Sequence, residues 1–315
     1  MRLNFEKNGN GRSFSLSNRL CAPRRALPPE MPLFDGRRLP LDRALVMGIL
    51  NVTEDSFYAA SSVTGESEAV KRAVSMAAEG ADIIDVGAES TRPGSRAADE
   101  KDEMDRLLPV ISSIRRELPD MPLSADTRKA SVAEAAVEAG ADIINDVSGL
   151  GLSEESARMI DVAAKSGAAY VLTHTKGTPD VMQRSPWYDD LFAELFDFFK
   201  KKAEALEGSG VSRDSIIIDP GLGFGKRVSD NLAILANVGD FFELGFPVMI
   251  GASRKGFIGH AIGKTEAAGP DERLEGTLAI SALCAVAGVN IVRVHDVAAN
   301  RRAVDMAAEI ARHAM

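Results

Sequence analysis

Cysteine is nearly absent from this 315-residue chain: only Cys21 and Cys284 occur, and they form no metal-ligand spacing. Cys284 lies in the small-residue run AISALCAVAG and reads as a buried apolar residue, so a reduced, cytoplasmic chain is expected. Histidine is as scarce. His174, His260, His295 and His313 are widely separated, which argues against a catalytic zinc. No apolar run approaches the ~20 residues that a membrane span requires. An excess of positive charge is missing too: 37 basic and 46 acidic residues leave a net charge of −9. That balance argues against general affinity for nucleic acid or an acidic membrane, though a few local cations would still hold a small anion. The N-terminal stretch lacks both the apolar core of a secretion signal and any regular periodicity. Residues 1–31 are therefore expected to be a flexible extension, with residues 32–315 forming one domain.

What is present is regular. PLFDGRRLPL places Asp35-Gly36 between apolar flanks, a hairpin signal. Eight short apolar runs follow, at 44–50, 81–87, 121–126, 141–147, 168–174, 215–221, 247–253 and 290–296. They are rich in Val and Ile and almost unbroken, as strands buried on both faces should be. Helical patterns separate them, and Gly80, Gly140, Gly167 and Gly288 each end a helix before a strand. EGADIIDVGAES and AGADIINDVSGL are near copies, with AGVNIVRVHDV a weaker third echo. Eight such βα units predict an α/β fold, a single (β/α)8 TIM barrel with an N-terminal β-hairpin. A doubly wound open sheet is the alternative, but no linker divides the chain.

In such a barrel the active site lies at the C-terminal strand ends. The opening MGILNVTEDSF turns abruptly polar at Asn51, and the later strands end in the same way. Asp85, Asp126, Asn145, Asp219, Lys255, Arg293 and His295 all fall at strand ends. Any of them inside an apolar run carries a desolvation cost unless it is paired. A single one would be an ordinary structural ion pair; the whole set points to a ligand. Asp126, Asn145 and Asp219 suit a flat heterocycle rich in N–H groups. Lys255, Arg293 and His295 supply positive or donor groups where such barrels commonly bind phosphate. Asn51 would complete that anion site or ligate Mg²⁺ through its carbonyl. GLGFGK lacks the spacing of a phosphate-binding loop and reads as a turn that exposes Phe224 to a ligand. The implied chemistry is an aromatic N-heterocycle tethered to phosphate, with phosphate or diphosphate leaving.

Together MGILNVTEDSF, IIDVGAESTRPGS, DTRKASVAEAAVEAGADIINDVSG, IIIDPGLGFGK, GASRKGFIG and VRVHDV resemble the dihydropteroate synthase family, from about residue 32 onward. The resemblance implies condensation of 6-hydroxymethyl-7,8-dihydropterin diphosphate with p-aminobenzoate, a step of folate synthesis. It also implies a homodimer formed through late helices, while charge and hydropathy lead us to expect no nucleic-acid or membrane partner. Carried over by motif, Asp126, Asn145, Asp219, Lys255 and Phe224 hold the pterin. Asn51, Arg293 and His295 hold the diphosphate with Mg²⁺, Asn51 being the metal ligand. Thr91, Arg92 and Pro93, with Phe224 and Ser253, form the p-aminobenzoate pocket, where sulfonamides bind. Asp85, Lys255 and Asn51 carry the catalytic roles. The chain departs from the family in its first loop, where Glu54 and Tyr58-Ala59-Ala60 replace a proline and a glycine-containing run. THTKG also replaces a methionine-rich sequence, which weakens packing on the pterin face. The nearest rivals are a pterin-binding methyltransferase and a pterin-binding paralogue without turnover.

Overall fold

A hairpin opens the described part of the chain: β1 (Glu30–Pro32) and β2 (Arg38–Pro40) pair antiparallel around Gly36, whose φ is 85°. The computed structural model describes residues 29–34, 36–52, 62–89, 99–151, 153–177, 186–263 and 269–313. The expected extension therefore lies almost wholly outside the described residues. The domain boundary expected at residue 32 would cut β1, whose Met31 is fully buried.

The eight apolar runs form β3 (Leu45–Asn51), β4 (Ile83–Gly87), β5 (Leu123–Asp126), β6 (Ile143–Asp146), β7 (Ala169–Thr173), β8 (Ile216–Asp219), β9 (Met249–Ile250) and β10 (Ile291–Val294). All are parallel, in the spatial order β8-β7-β6-β5-β4-β3-β10-β9. The ring closes through one bridge, Ile218 to Val248, with the Ile218 N–H donating to the Pro247 carbonyl at 2.9 Å. β9 is much shorter than the run at 247–253 suggests, because the chain leaves the sheet after Ile250 to form a turn.

The helices are α1 (Ser62–Ala78), α2 (Glu100–Glu117), α3 (Ala130–Glu138), α4 (Glu154–Ser166), α5 (Leu191–Gly208), α6 (Val228–Ala236), α7 (Gly256–Ala261), α8 (Leu274–Ala287) and α9 (Val297–Arg312). Ser153 and Asp190 cap α4 and α5 by accepting backbone N–H groups. Gly167 and Gly288 end α4 and α8 in the left-handed conformation, as expected.

The two-residue strand period divides the core. Val46, Ile84, Ile144, Tyr170, Ile218 and Val292 point outward under the helices. Leu45, Met47, Ile83, Ile143, Val171, Ile217, Met249 and Ile291 point inward. Met31, Leu33, Leu39 and Leu41 join this inner cluster, so the hairpin plugs the N-terminal end of the barrel. The sequence echoes have a structural meaning at that end. Asp82 accepts the Val46 N–H and Asp142 the Leu123 N–H, both at 2.8 Å, while Asn290 accepts the Val248 N–H at 2.9 Å. Each fastens its own strand to the preceding neighbour in the ring.

Candidate active site

Three residues beyond each of those base groups, the echoes place Asp85, Asn145 and Arg293 on the inner face of the opposite end. They meet there. Asn145 Nδ2 donates to both Asp85 oxygens, at 3.3 and 3.1 Å. Arg293 Nε donates to Asp85 at 2.6 Å, and its Nη2 reaches Asp126 at 2.5 Å. Burial works against the Arg293 charge, but Asp85 and Asp126 outweigh it and keep the guanidinium protonated. Burial also holds Asp126 above the usual carboxylate range, against the pull of Arg293.

This cluster is incompletely satisfied. Asp126 Oδ1, Asn145 Oδ1, Ser124 Oγ and Thr173 Oγ1 are buried without a hydrogen-bond partner among the described residues. Buried polar atoms are normally paired, so this group of bare oxygens on adjoining strands marks the seat of a hydrogen-bonding ligand. Asp219 completes the arc from β8. One of its oxygens accepts the Gly221 N–H at 2.7 Å, and burial raises its pKa despite nearby Lys255.

The turn after β8 is held by two lysines, Lys226 buried and Lys255 half-buried. Lys255 Nζ donates to the Leu222 carbonyl and lies 4.5 Å from the centre of the Phe224 ring. Desolvation lowers its pKa to about 8, although Asp219 pulls it upward. Lys226 Nζ reaches His174 Nδ1 at 2.9 Å, the Phe224 carbonyl at 3.2 Å and the His174 carbonyl at 3.3 Å. Three acceptors match the three protons of an ammonium. Burial and the Lys226 charge push the His174 pKa down to about 2, so the ring is neutral and Nδ1 accepts. Gly221 is obligatory in this turn. Its φ is 70°, and a Cβ there would stand 2.0 Å from the His174 carbonyl oxygen.

Beyond the neighbouring strand β9, Ser253 Oγ accepts the His295 backbone N–H at 3.1 Å and lies 3.0 Å from His295 Nδ1. The two side chains therefore share a hydrogen bond whose donor is set by the tautomer of the ring. Arg254, between Ser253 and Lys255, adopts a φ of 56°, which costs a residue with a Cβ about 1–2 kcal/mol. Its guanidinium binds Asp296 twice, at 2.9 and 2.6 Å, and its N–H donates to Thr277 at 3.0 Å. Asn51 is the exposed last residue of β3.

The structure thus gathers Asp85, Asp126, Asn145, Asp219, Lys255, Phe224, Ser253, Arg293 and His295 at one end of the barrel. Thr91, Arg92 and Pro93, and the altered first-loop positions Glu54 and Tyr58-Ala59-Ala60, lie outside the described residues. Arg293 is less separate from the acidic and amide groups than the division by charge suggests. Its long side chain reaches inward to bridge Asp85 and Asp126. Sequence reasoning passed over Ser124, Thr173 and Lys226. The first two were detectable as inward positions by strand parity, the third as a lysine in a glycine-rich turn beside a strand end.

A family model described as pterin binding enzyme matches residues 47–295. The dihydropteroate synthase of Synechocystis sp. is 40% identical over 276 residues, covering 86% of this chain and 92% of the relative. The Yersinia pestis dihydropteroate synthase with a sulfonamide drug superposes with a TM-score of 0.81 at 35% identity, over 89% of this chain and 98% of that one. The Xanthomonas albilineans enzyme in complex with 7,8-dihydropteroate gives 0.76 at 36% identity, over 90% and 98% of the two chains. Fold, site and likeness agree: the chain belongs to the pterin-binding enzymes and, among them, to the dihydropteroate synthase family.

Proposed function

We propose that this chain condenses 6-hydroxymethyl-7,8-dihydropterin diphosphate with p-aminobenzoate, giving 7,8-dihydropteroate and diphosphate for folate synthesis. The observation that carries this reading is the arc of buried acceptors Asp126, Asn145 and Asp219, with Lys255 and Arg293 beside it. A pterin presents amino and ring N–H groups to such oxygens. The Xanthomonas albilineans relative is described with the product dihydropteroate bound, which supports the same assignment.

In the reaction the bond between the exocyclic methylene carbon and the diphosphate oxygen breaks, and that carbon bonds to the p-aminobenzoate nitrogen. The amine loses one proton and diphosphate departs with the bonding electron pair. Arg293 and His295 stabilise the negative charge gathering on the leaving group. Asp85, fixed by Arg293 and Asn145, places negative charge beside the pterin, where it favours a cationic methylene. Phe224 and Ser253 flank the approach of p-aminobenzoate. Holding both reactants in line supplies much of the acceleration, with no covalent enzyme intermediate.

Mg²⁺ suits this site through Asn51. Its exposed amide is one hard oxygen ligand, and Mg²⁺ typically takes few protein ligands beside substrate phosphates and water. When bound, the ion neutralises diphosphate charge. Homodimerisation through α8 and α9 is supported by Leu283, Met306 and Ile310, large apolar residues left more than half exposed there. The buried free thiol of Cys284, with its pKa pushed up to about 12, suits a reducing cytoplasm. No helix among the described residues is long and apolar enough to cross a membrane.

The test is incubation with both substrates, with and without Mg²⁺. Dihydropteroate and diphosphate should form in equal amounts and depend on the metal. Pterin binding without product would instead indicate a non-catalytic paralogue.

A further inference from the structure

Four adjoining strands, β5 to β8, each bring a polar side chain to the inner face near their C-terminal ends: Asp126, Asn145, Thr173 and Asp219. Three are acidic or amide groups. The fourth is a hydroxyl whose position is defined by register. Thr173 stands opposite Asp219 across the β7–β8 pair, and Val171, two residues earlier, stands opposite Asn145. Ala169 and Val171 belong to the inner apolar cluster, so the period of two carries Thr173 to the same face. Its strand therefore lies between those of Asn145 and Asp219, with Thr173 level with Asp219.

Thr173 is 1% exposed, and its Oγ1 has no hydrogen-bond partner among the described residues. A buried threonine hydroxyl normally bonds to nearby backbone or another side chain, and this one does neither. Cγ2 lies 3.4 Å from where a Cβ on Gly221 would stand, against the turn after β8. Oγ1 is thus the unpartnered polar atom that Thr173 brings to the inner face of β7.

We infer that Thr173 is a specificity-determining residue whose hydroxyl hydrogen-bonds the pterin ring between the groups held by Asn145 and Asp219. The inference rests on the pterin reading given above. Its chemistry differs from that of its neighbours. A carboxylate oxygen only accepts, whereas a hydroxyl both donates and accepts. It can therefore meet a stretch of heterocycle edge where a bare ring nitrogen adjoins an N–H, which a row of acceptors alone would repel.

The test uses the full chain carrying Thr173→Val, which keeps the shape and removes the hydroxyl, beside Thr173→Ser, which keeps the hydroxyl. Calorimetric titration with free 6-hydroxymethylpterin should show binding weakened about tenfold by valine and largely kept by serine. KM for the pterin diphosphate should rise with valine while KM for p-aminobenzoate stays put, a split that general loosening of the fold would not produce. Unaltered melting temperatures would exclude unfolding as the cause. Wild-type affinity in Thr173→Val would overturn the inference, and a loss confined to Thr173→Ser would assign the contact to the methyl instead. If the wild-type chain bound no pterin and formed no dihydropteroate, the functional reading would fall with it. If it did both while Thr173→Val stayed silent, this inference alone would fail.

Discussion

The two ends of the barrel both carry buried polar side chains and put them to different uses. At the closed end both Asp142 oxygens are bonded, to Arg37, Arg115 and the Leu123 N–H. Asp82 is likewise bonded by Arg43, Arg301 and the Val46 N–H. At the open end Asp126 and Asn145 each keep a buried oxygen without a partner. Leaving a buried acceptor unsatisfied costs roughly 1–3 kcal/mol, so the open end is poorly arranged for folding alone. Its arrangement makes sense once a ligand supplies the missing donors. One end of the ring is finished by the chain, and the other is finished by the substrate.

The strongest challenge to this contrast is Arg293→Met. It strips two buried carboxylates of their shared cation, and breaking such a pair typically costs roughly 3–5 kcal/mol. The chain should melt earlier on that scale, and turnover should fall with it. Because Arg293 also organises Asp85 and Asp126, binding of free 6-hydroxymethylpterin should weaken along with that of the diphosphate. Calorimetry with both ligands checks this; loss confined to the diphosphate would show that Arg293 serves only the leaving group.

Asp219→Asn comes next. It keeps the volume while turning one acceptor oxygen into a donor, which then faces a pterin N–H. Affinity for the pterin should drop roughly tenfold to a few hundredfold. The melting temperature should hold or rise, since a buried carboxylate with a raised pKa is removed. A large fall in melting temperature with intact affinity would place Asp219 with the structural set.

Lys226→Met should have a milder effect. It releases the Phe224 carbonyl from its tether, and KM for p-aminobenzoate should rise roughly threefold to tenfold, more than KM for the pterin diphosphate. Initial-rate measurements with each substrate varied in turn would reveal the split.

The smallest expected effect is on stability against pH. Burial lowers the Lys226 pKa to about 7 from 10.5, with Asp219 and Asp230 pulling it back up and Lys255 and Lys176 adding to the fall. Between those values the unfolded lysine holds a proton that the folded one has lost. The unfolded state therefore binds more protons, and stability from this group rises with pH across that window. Lys255 contributes with the same sign from about 8 upward. Urea denaturation near neutrality and near pH ~9.5 should show a smaller rise in Lys226→Met than in the wild-type chain.

The barrel was legible because eight apolar runs with helix-ending glycines leave few other arrangements. Strand ends were less so. The run at 247–253 looked like a full strand, yet only Met249 and Ile250 pair, since nothing local marks where the Lys255 turn departs. The site's charged members stood out because Asp85, Asp219 and Arg293 interrupt apolar runs. The Arg293 bridge to Asp85 and Asp126 did not. It spans residues 208 and 167 positions apart and depends on closure of the ring. Ser124 and Thr173 were hidden for a different reason: small hydroxyl residues are common in strands and carry no charge to flag them. The echoes were visible from the start, but only the structure separates their base residues from their site residues.

Asp142 and Asn145 lie three residues apart, one at each end of β6, and comparing them tests the central contrast most directly. Asp142→Asn and Asn145→Ala would each be measured for melting temperature and for calorimetric affinity towards free 6-hydroxymethylpterin. The account predicts that Asp142→Asn melts earlier and binds pterin as the wild type does. Asn145→Ala should lose about tenfold or more in affinity with the smaller change in melting temperature. If Asp142→Asn lost pterin affinity as severely as Asn145→Ala, the division between a self-completed base and a ligand-completed mouth would be contradicted.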